Sequence, residues 1–498
     1  MGNPITTGSA LQAQDHAAKG AYMMSMRTVL VWATLATLGL LSLDASAVPS
    51  FARQSGMDCT TCHMSWLELT NVGRRFKLGG YQLTKAVDDD VKRPLVSFDF
   101  RDPPPQIPIA GMLQFSVTHT ANPNTPGTIK ANDFPLNNEV ILQQASIFLN
   151  GKLAEHVGCF CQLTYDGAAG HTAMDNFEVR VANSYTNGKF EALYGISLNN
   201  NPTMSDVWNT TPVWGWPYAG STVAPAPVAS PIINAALAQS AGGLTAYTLL
   251  GRTLYLEAGG YRTTDGVLSL LHLNVPNESL YHIDGVAPYY RVALQHEWGR
   301  GHQSAMIGSF GLDAKVYQPG IAPTGLSDRY KDTAFDAQYQ YITDKHRFSA
   351  MYTNVHEQQT LDNAYANGGA ANHTNTLNFV NAKLSYYYNK WYGISVGYQK
   401  TSGSVDSLLY APYDIAHPDN PAVSAVNANA NGSPETEAYI AELNWLFSST
   451  DAQSFRKRRL VLQYTAYSKF NGAGSNYNGS GRDAKDNNTL YLLAWLMY

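Results

Sequence analysis

The chain has few charged residues for its length. Asp, Glu, Lys and Arg make up 14% of its 498 residues, against about 25% in typical soluble domains. The formal net charge is −5, so a nucleic-acid partner, which favours a clearly basic surface, is not expected. The sequence also lacks a convincing Ser/His/Asp set, a phosphate-binding glycine loop and an H-E-x-x-H motif. These absences argue against hydrolase and nucleotide chemistry.

Long apolar runs are missing beyond the N-terminal region. The run over residues 29–43 follows the basic start Met26-Arg27 and precedes Ala45-Ser46-Ala47. This order is typical of a cleaved secretion signal, because a membrane anchor needs a longer apolar run. Residues 1–47 are therefore predicted to be a leader, with the mature chain beginning at Val48. No later run is long enough for a transmembrane helix.

Cysteine is rare, and two of the four cysteines fall in Cys59-Thr60-Thr61-Cys62-His63. C-x-x-C-H is the attachment site of a c-type haem, where two thioethers fix the porphyrin and the histidine ligates iron. A structural zinc site would need two more Cys or His ligands at defined spacing. We predict one covalently bound haem c, attached through Cys59 and Cys62, with His63 as the proximal iron ligand.

The sequence leaves the second axial ligand open. Met64 is too close to His63 to reach the opposite haem face, which leaves five candidates: Met57, Met112, His119, His156 and His171. The basic run at residues 74–77 is either a set of partners for the haem propionates or a solvated turn. The remaining cysteines, Cys159 and Cys161, share one face of a strand and are predicted to pack as small apolar groups.

A proline-rich connector, residues 102–108, divides the chain, because prolines continue neither a helix nor a central strand. Residues 48–101 form the predicted monohaem segment. In residues 109–498, apolar and polar residues alternate, as they do over 335–341 and 439–447. Such alternation is typical of a membrane β-barrel with an apolar outside and a polar lumen. A soluble β-sandwich gives a similar pattern.

Connection lengths favour the barrel. About sixteen strands are predicted, and turns near 187–188, 299–301, 343–344 and 389–390 alternate with the long stretches 199–243, 263–287, 315–330, 357–375 and 402–434. Outer-membrane barrels have short periplasmic turns and long outer loops. We therefore predict an all-β fold, an outer-membrane antiparallel β-barrel of about sixteen strands.

An even strand count puts both ends of the barrel on the periplasmic side. Residues 48–101 are then expected to plug or cap the lumen from that side, because so short a segment has little core of its own. Residues 490–498 are apolar on both faces and end on an aromatic residue, which indicates a final membrane strand or, alternatively, a buried final strand of a soluble sheet. The basic run at residues 456–459 is predicted to be a solvated periplasmic turn.

The residues around the haem motif resemble those of a known family, the fused monohaem cytochrome–porins of iron-oxidising bacteria. The resemblance is specific over residues 48–84 and lies in Phe51-Ala52-Arg53-Gln54, Gly56-Met57, Leu69-Thr70, Gly73-Arg74-Arg75-Phe76-Lys77 and Gly80-Tyr81. Over the barrel it is architectural. It implies an outer-membrane cytochrome that oxidises extracellular Fe(II) and passes single electrons to a periplasmic carrier, either a small cytochrome or a copper protein.

Two other functions are compatible with the same residues. The chain is alternatively a diffusion porin whose haem segment serves as a structural plug. It is alternatively a haem-based sensor or transporter that binds a ligand at an open iron position.

Overall fold

The protein is represented by a computed structural model that describes residues 50–55, 57, 59–65, 67–82, 108–122, 136–188, 190–234, 236–320, 323–410, 428–448 and 457–497. All of these belong to one compact unit, Ala45–Tyr498. The predicted leader and all but the last residue of the predicted connector lie outside the described residues. Within the described ranges, no helix has the length and apolar character needed to cross a membrane.

Strands make up most of the fold. They are β1 Ile109–Thr120, β2 Val140–Ala154, β3 Val157–Asp166, β4 His171–Asn187, β5 Phe190–Asn199, β6 Ala241–Leu250, β7 Leu254–Thr263, β8 His282–Ile283, β9 Ala287–Trp298, β10 Gln303–Tyr317, β11 Asp328–Ile342, β12 His346–Thr360, β13 Thr374–Tyr388, β14 Tyr392–Gly403, β15 Thr436–Ser448, β16 Lys457–Lys469 and β17 Thr489–Met497.

Helices are short and few in the described part of the chain. The α-helices are α1 Ser50–Ser55, α2 Cys59–Cys62, α3 Asn71–Leu78 and α4 Asp362–Ala366. Single 3-10 turns or short 3-10 helices span Pro212–Trp214, Gly266–His272, Asn277–Ser279 and Ala484–Asn487.

The strands close into a ring. Each strand pairs antiparallel with the next along the chain, except that β7 pairs with β9 directly, and β1 pairs with β17 to complete the circle. The two-residue strand β8 only adds to the edge of β10. The ring therefore has sixteen strands, and the predicted all-β antiparallel barrel is confirmed.

The predicted alternation of side chains is also confirmed. Phe335 and Tyr439 point outward and are 48% and 52% exposed, whereas Asp336 and Glu442 on the same strands point inward and are buried. Inward-facing polar side chains line the lumen, and outward-facing apolar side chains cover the outside, as in membrane barrels.

Aromatic residues ring the outside near both rims. At the end of the barrel with short turns, exposed aromatic side chains include Phe190, Trp298, Tyr341, Tyr388, Tyr392 and Phe447. At the other end they include Tyr165, Tyr290, Tyr439 and Tyr464. Such aromatic girdles flank the apolar band of outer-membrane barrels.

The two ends of the barrel differ, and we call them the short-turn end and the loop end. The short-turn end carries the connections 155–156, 188–189, 251–253, 299–302, 343–345, 389–391 and 449–456, and the loop end carries the long connections together with the four-residue connection 167–170. Gly299 and Gly301 have φ angles of +62° and +83°, a conformation that glycine adopts without strain. β1 begins and β17 ends at the short-turn end, as the even strand count predicted.

One long connection differs from the prediction. Residues 200–240, here called the inner loop, fold into the lumen instead of extending outside. Gln143 of β2 donates to the carbonyl of Gly220 at 3.3 Å and Gln338 of β11 donates to that of Trp208 at 2.5 Å, so the loop reaches opposite walls. The physical reason is its aromatic content, because Trp208 and Trp216 are at most 2% exposed and need an apolar enclosure.

The segment 50–82 also lies inside the lumen, at the short-turn end. Arg75 pairs with Glu191 beside the 188–189 turn at 2.6 Å, and Lys383 of β13 pairs with Glu68 at 2.9 Å. Lys77 donates to two carbonyls of the inner loop. The segment is therefore held between the barrel wall and the inner loop.

Candidate haem site

The C-x-x-C-H motif forms one helical turn. α2 spans Cys59–Cys62, and the amide of His63 donates to the carbonyl of Cys59 at 2.8 Å. Residues three apart lie on one helix face, so the spacing puts both cysteines on the same side of the turn. Residues 64–69 then fold back, and Thr70 donates its amide to the carbonyl of Cys62 at 2.9 Å.

Helix α3 packs directly on this turn. Thr70 caps the helix by accepting the amide of Gly73, at 3.3 Å. A Cβ at position 73 would lie 2.1 Å from the carbonyl oxygen of Cys62, so only glycine permits this approach. The Gly73 that the resemblance singled out is thus explained by the contact between α3 and the haem motif.

His63 is half-buried. Its Nδ1 is buried and finds no hydrogen-bond partner among the described residues. Burial lowers the pKa of His63 to about 4, opposed in part by a hydrogen bond with the Leu67 backbone. Burial therefore favours the neutral imidazole, which is the form that ligates a metal.

A cavity of about 460 Å³ opens beside the motif, inside the barrel. Cys59 and His63 lie in its wall, opposite residues of β1, β2, β3, β17 and the inner loop. Apolar and aromatic side chains dominate the lining: Met112, Phe148, Phe160, Trp214, Leu446 and Trp495. Its size and lining are those of a cofactor pocket.

Cys62 is not part of the cavity lining itself. It packs against a small cluster of Met57, Phe76 and Tyr81, which also contacts Phe51 and Phe160. Phe51 and Phe160 line the cavity. Cys62 thus lies beside the aromatic group that forms one edge of the cavity.

The five candidate axial ligands are not all near the cavity. Met112 lines it. Met57 is buried beside Cys62. The three histidines are elsewhere: His119 bonds Asn138, His156 lies in the β2–β3 turn beside Glu155, and His171 begins β4 at the loop end.

The basic run at residues 74–77 is not a solvated turn, so that prediction is wrong. Arg74 donates to Gln338 at 2.6 Å and to Gln340 at 2.8 Å on β11. Burial lowers the pKa of Lys77 to about 8, with Glu178 opposing the change. None of the four residues 74–77 lines the cavity, so the contacts described do not support a role with the propionates either.

The basic run at residues 456–459 also differs from its prediction where the structure describes it. Arg459 lies in β16 and points into the lumen, where it pairs with Glu442 at 2.8 Å and lies over the ring of Trp495. Its side chain is 2% exposed. Position 456 lies outside the described residues. A run of like charges could not reveal that one member faces inward, because strand register decides that.

Cys159 and Cys161 remain without assigned chemistry. Neither is in a disulfide. The Cys159 thiol donates to the carbonyl of Leu149 at 3.1 Å, and Cys159 is fully buried between strands.

Glu68 joins the haem segment to the barrel wall. It is fully buried, pairs with Lys383 and accepts a hydrogen bond from Gln340 at 3.0 Å. Burial alone would raise the pKa of Glu68, but the Lys383 ammonium outweighs it and leaves the pKa below its usual range. Tyr218 of the inner loop also reaches this pair.

The contribution of the inner loop to the site was not among the predictions from the sequence. Trp214 and Tyr218 line the cavity, and residues 212–217 separate it from a second cavity of about 330 Å³ on the side of β13–β15. Four aromatic residues fall between positions 208 and 218. That density is unusual for a solvent-exposed loop and is the signal that indicates an enclosed one.

Comparisons with known proteins add little. No protein-family model matches the chain, and no curated protein matches it. Solved structures that resemble it include OmpT, an outer membrane protein of Vibrio cholerae, at 8% identity and a TM-score of 0.39, covering 78% of this chain and 96% of that one.

Two further structures are similar to the same extent. An anion-selective porin from Comamonas acidovorans has 10% identity and a TM-score of 0.40, covering 78% of this chain and 98% of that one. OmpF of Salmonella typhi has 13% identity and the same TM-score, covering 78% and 97%. These scores are low, and the barrel is established by the strand pairing of this chain itself.

Proposed function

We propose that this chain is an outer-membrane β-barrel that holds one covalently bound haem c in its lumen, oxidises extracellular Fe(II) and passes single electrons to a periplasmic carrier. The observation that carries the proposal is that Cys59 and His63 of a C-x-x-C-H motif line a mainly apolar cavity of ligand size. A motif that arose by chance would have no reason to face such a cavity.

The outer surface supports the membrane location. Outward apolar side chains, two aromatic girdles and an inward polar lining are the features of outer-membrane barrels. The short turns at one end support a periplasmic orientation for that end. The haem segment, at the same end, would then be within reach of a periplasmic carrier.

The residues present fit a c-type haem. Cys59 and Cys62 would form the thioethers, and His63 would ligate iron. Arg347 of β12 steadies this turn, because its guanidinium donates to the carbonyls of His63 at 2.9 Å and Met64 at 3.0 Å. When bound, the haem would supply a one-electron acceptor for Fe(II) and a donor for a small cytochrome or copper protein.

The position of the motif limits the route of iron. The apolar band of such barrels is about 25 Å tall, and one haem at the short-turn end cannot relay electrons across it. Iron would therefore have to approach through the lumen from the loop end. The second cavity, lined by Thr210, Asn381, Gln399 and Thr401, supports such an approach as far as the inner loop.

The experiment is anaerobic addition of Fe(II) at acidic pH to the purified, haem-loaded protein. We expect the oxidised haem spectrum to become reduced, and added copper protein or small cytochrome to reoxidise it. The variant C59S/C62S is the control and is expected to carry no covalent haem. Correctly ligated haem that Fe(II) does not reduce would contradict the proposal.

A diffusion porin with a structural plug is the second candidate. It is favoured by the polar lumen lining, which includes Glu178, Arg180, Arg291 and Asp336. Open conductance in planar bilayers, together with no reaction of the haem with Fe(II), would favour the porin. A five-coordinate haem that binds CO would instead indicate a sensor.

A further inference from the structure

Three methionines line the cavity that contains Cys59 and His63, and they differ in how well they suit an iron ligand. Met64, Met112 and Met497 are the thioethers in its wall within the described residues. Met64 follows His63 directly and cannot reach the opposite face of a haem that His63 ligates. The choice therefore falls between Met112 and Met497.

Met112 and Met497 are direct partners across the β1–β17 seam that closes the barrel. Both point into the lumen, so their side chains lie next to each other on the cavity wall. Met112 is only 4% exposed. Met497 is half-buried and is the last residue of β17, with strand pairing that ends at its position.

Met112 is the more firmly held of the two. Both methionines are paired on both sides, Met112 with Ser146 and Met497, and Met497 with Lys457 and Met112. Met112 lies inside β1, however, whereas Met497 is the last residue of β17. Gln114, also buried, donates from Nε2 towards the Met112 sulfur at 3.6 Å. A sulfur atom has two lone pairs, so this weak bond orients the thioether and leaves one lone pair for a metal.

We propose that the Sδ atom of Met112 is the second axial ligand of the haem. This assignment rests on the proposed haem function. It places the proximal ligand on the segment inside the lumen and the distal ligand on the barrel wall, so that the haem is clamped between the two. Gln114 is a positioning residue that acts through Met112.

A thioether ligand suits the proposed reaction. Methionine opposite histidine raises the reduction potential of a haem. Fe(II) in acid is a weak reductant, so its acceptor needs a high potential. A barrel-wall methionine would supply that potential from a rigid element.

The test compares two matched variants of the purified holoprotein, Met112→Leu and Met497→Leu. Both changes keep the side chain apolar and near the same volume, and such swaps usually cost little stability. The readouts are the far-red charge-transfer band of methionine-bound ferric haem, CO binding to the reduced protein, and the midpoint potential. Heat-dependent migration on gels checks that each barrel has folded.

We expect M112L to lose the far-red band, bind CO after reduction and have a lower midpoint potential, while M497L keeps the wild-type spectrum. A third variant, Met112→His, is expected to restore a six-coordinate haem without the far-red band. The proposal is overturned if M112L keeps the band, or if M497L loses it instead.

Failure of the proposed haem or iron-oxidation function gives different results from failure of the Met112 assignment alone. Wild-type protein without covalent haem would overturn both the haem function and this ligand. Wild-type protein with a methionine-ligated haem that Fe(II) does not reduce would overturn iron oxidation alone. A wild-type haem that lacks the far-red band, or that binds CO readily, would overturn only Met112 as the ligand.

Discussion

Gly73 allows helix α3 to pack closely against the haem motif. A methyl group at this position would lie 2.1 Å from the Cys62 carbonyl oxygen, and forced overpacking of this kind costs about 1–3 kcal/mol. We expect Gly73→Ala to push α3 away from the motif and to lower the yield of covalent haem, measured as pyridine haemochrome per protein.

Gly369→Ala is the matched control for that variant. Its added methyl would come no nearer than 3.5 Å to Ala364, an ordinary contact, at the loop end of the barrel. Equal haem yield from G73A and G369A would show that α3 does not constrain the motif.

The buried ion pair of Glu68 and Lys383 is a second contact between individual residues that holds the haem segment in the lumen. Lys383→Met would leave the Glu68 carboxylate buried without its ammonium partner. Breaking one side of a buried ion pair costs about 3–5 kcal/mol. We expect K383M to loosen the segment and to increase its cleavage by added protease, whereas the double variant E68Q/K383M should recover much of the protection. A double variant as sensitive as K383M would contradict this account.

The same pair predicts a pH dependence of a definite sign. The pKa of Glu68 is lowered in the folded chain, while an unfolded glutamate has a pKa of about 4.3. The stabilisation is therefore present above about pH 4.3 and is lost as the pH falls through the lowered value. Acid titration of protease resistance should show this loss in the wild type and a flatter profile in Glu68→Gln.

Among the structural elements, the inner loop distinguishes this barrel most from an open channel, because it folds into the lumen. The C-terminal part of the inner loop is held by two carboxylates, Asp332 of β11 and Glu357 of β12, which lie directly opposite each other in the strand register. Glu357 accepts the amide of Ile232, and Asp332 accepts that of Ile233 at 3.2 Å. Both carboxylates are at most 2% exposed, and no ion pair is seen for either in the described part of the chain.

Two carboxyls directly opposite each other on a strand pair repel when both are ionised, and a buried carboxylate without a counter-ion is costly even when its neighbour is neutral. Glu357→Gln keeps an oxygen that can accept the Ile232 amide and removes one charge. We expect E357Q to raise resistance to denaturant, with a larger gain at neutral than at acidic pH, where the wild-type carboxylates are partly neutralised. Lys331→Gln, on the outward face of the same strand, is the control. A loss of stability in E357Q at neutral pH would mean that the pair carries a bound cation or shares its charge differently.

At the scale of the whole molecule, the sequence predicted the wall of the barrel but not the inner loop or the side-chain contacts that fill the lumen. Alternation and connection lengths are local properties, so strand number, register face and the two distinct ends followed from them. The contents depend on contacts between residues far apart in the chain. Arg74 meets Gln338 and Glu68 meets Lys383, and no pattern within either segment indicates its partner.

The difference between local patterns and distant contacts also explains which residues of the candidate site could be predicted from the sequence and which could not. The C-x-x-C-H motif is local and identifies Cys59, Cys62 and His63 without a fold. The cavity opposite is assembled from β1, β2, β3, β17 and the inner loop. The sequence alone does not distinguish Met112 from the other four candidate ligands. Only its position in the lining of the cavity does.

Because the inner loop and the haem segment lie in the lumen, the structure predicts how well the barrel conducts ions. Arg291 on β9 is fully buried and bridges Asp206 of the inner loop at 3.1 Å and Asp336 of the wall at 2.7 Å. It therefore ties the first part of the inner loop to the wall at β9 and β11. We expect the wild type to conduct weakly in planar bilayers and Arg291→Gln to conduct more, because two carboxylates would lose their partner and the loop its anchor.

Arg329→Gln is the control for this measurement, because Arg329 pairs with Asp313 at 2.6 Å on the exposed loop-end surface and is 49% exposed. Exposed pairs contribute little, so its conductance should equal that of the wild type. Removing Arg291 lowers the positive charge of the lumen, so the added current should also favour cations. A wild type that already conducts as well as R291Q would mean that the inner loop leaves an open path, and iron could then reach the short-turn end without any movement of the loop.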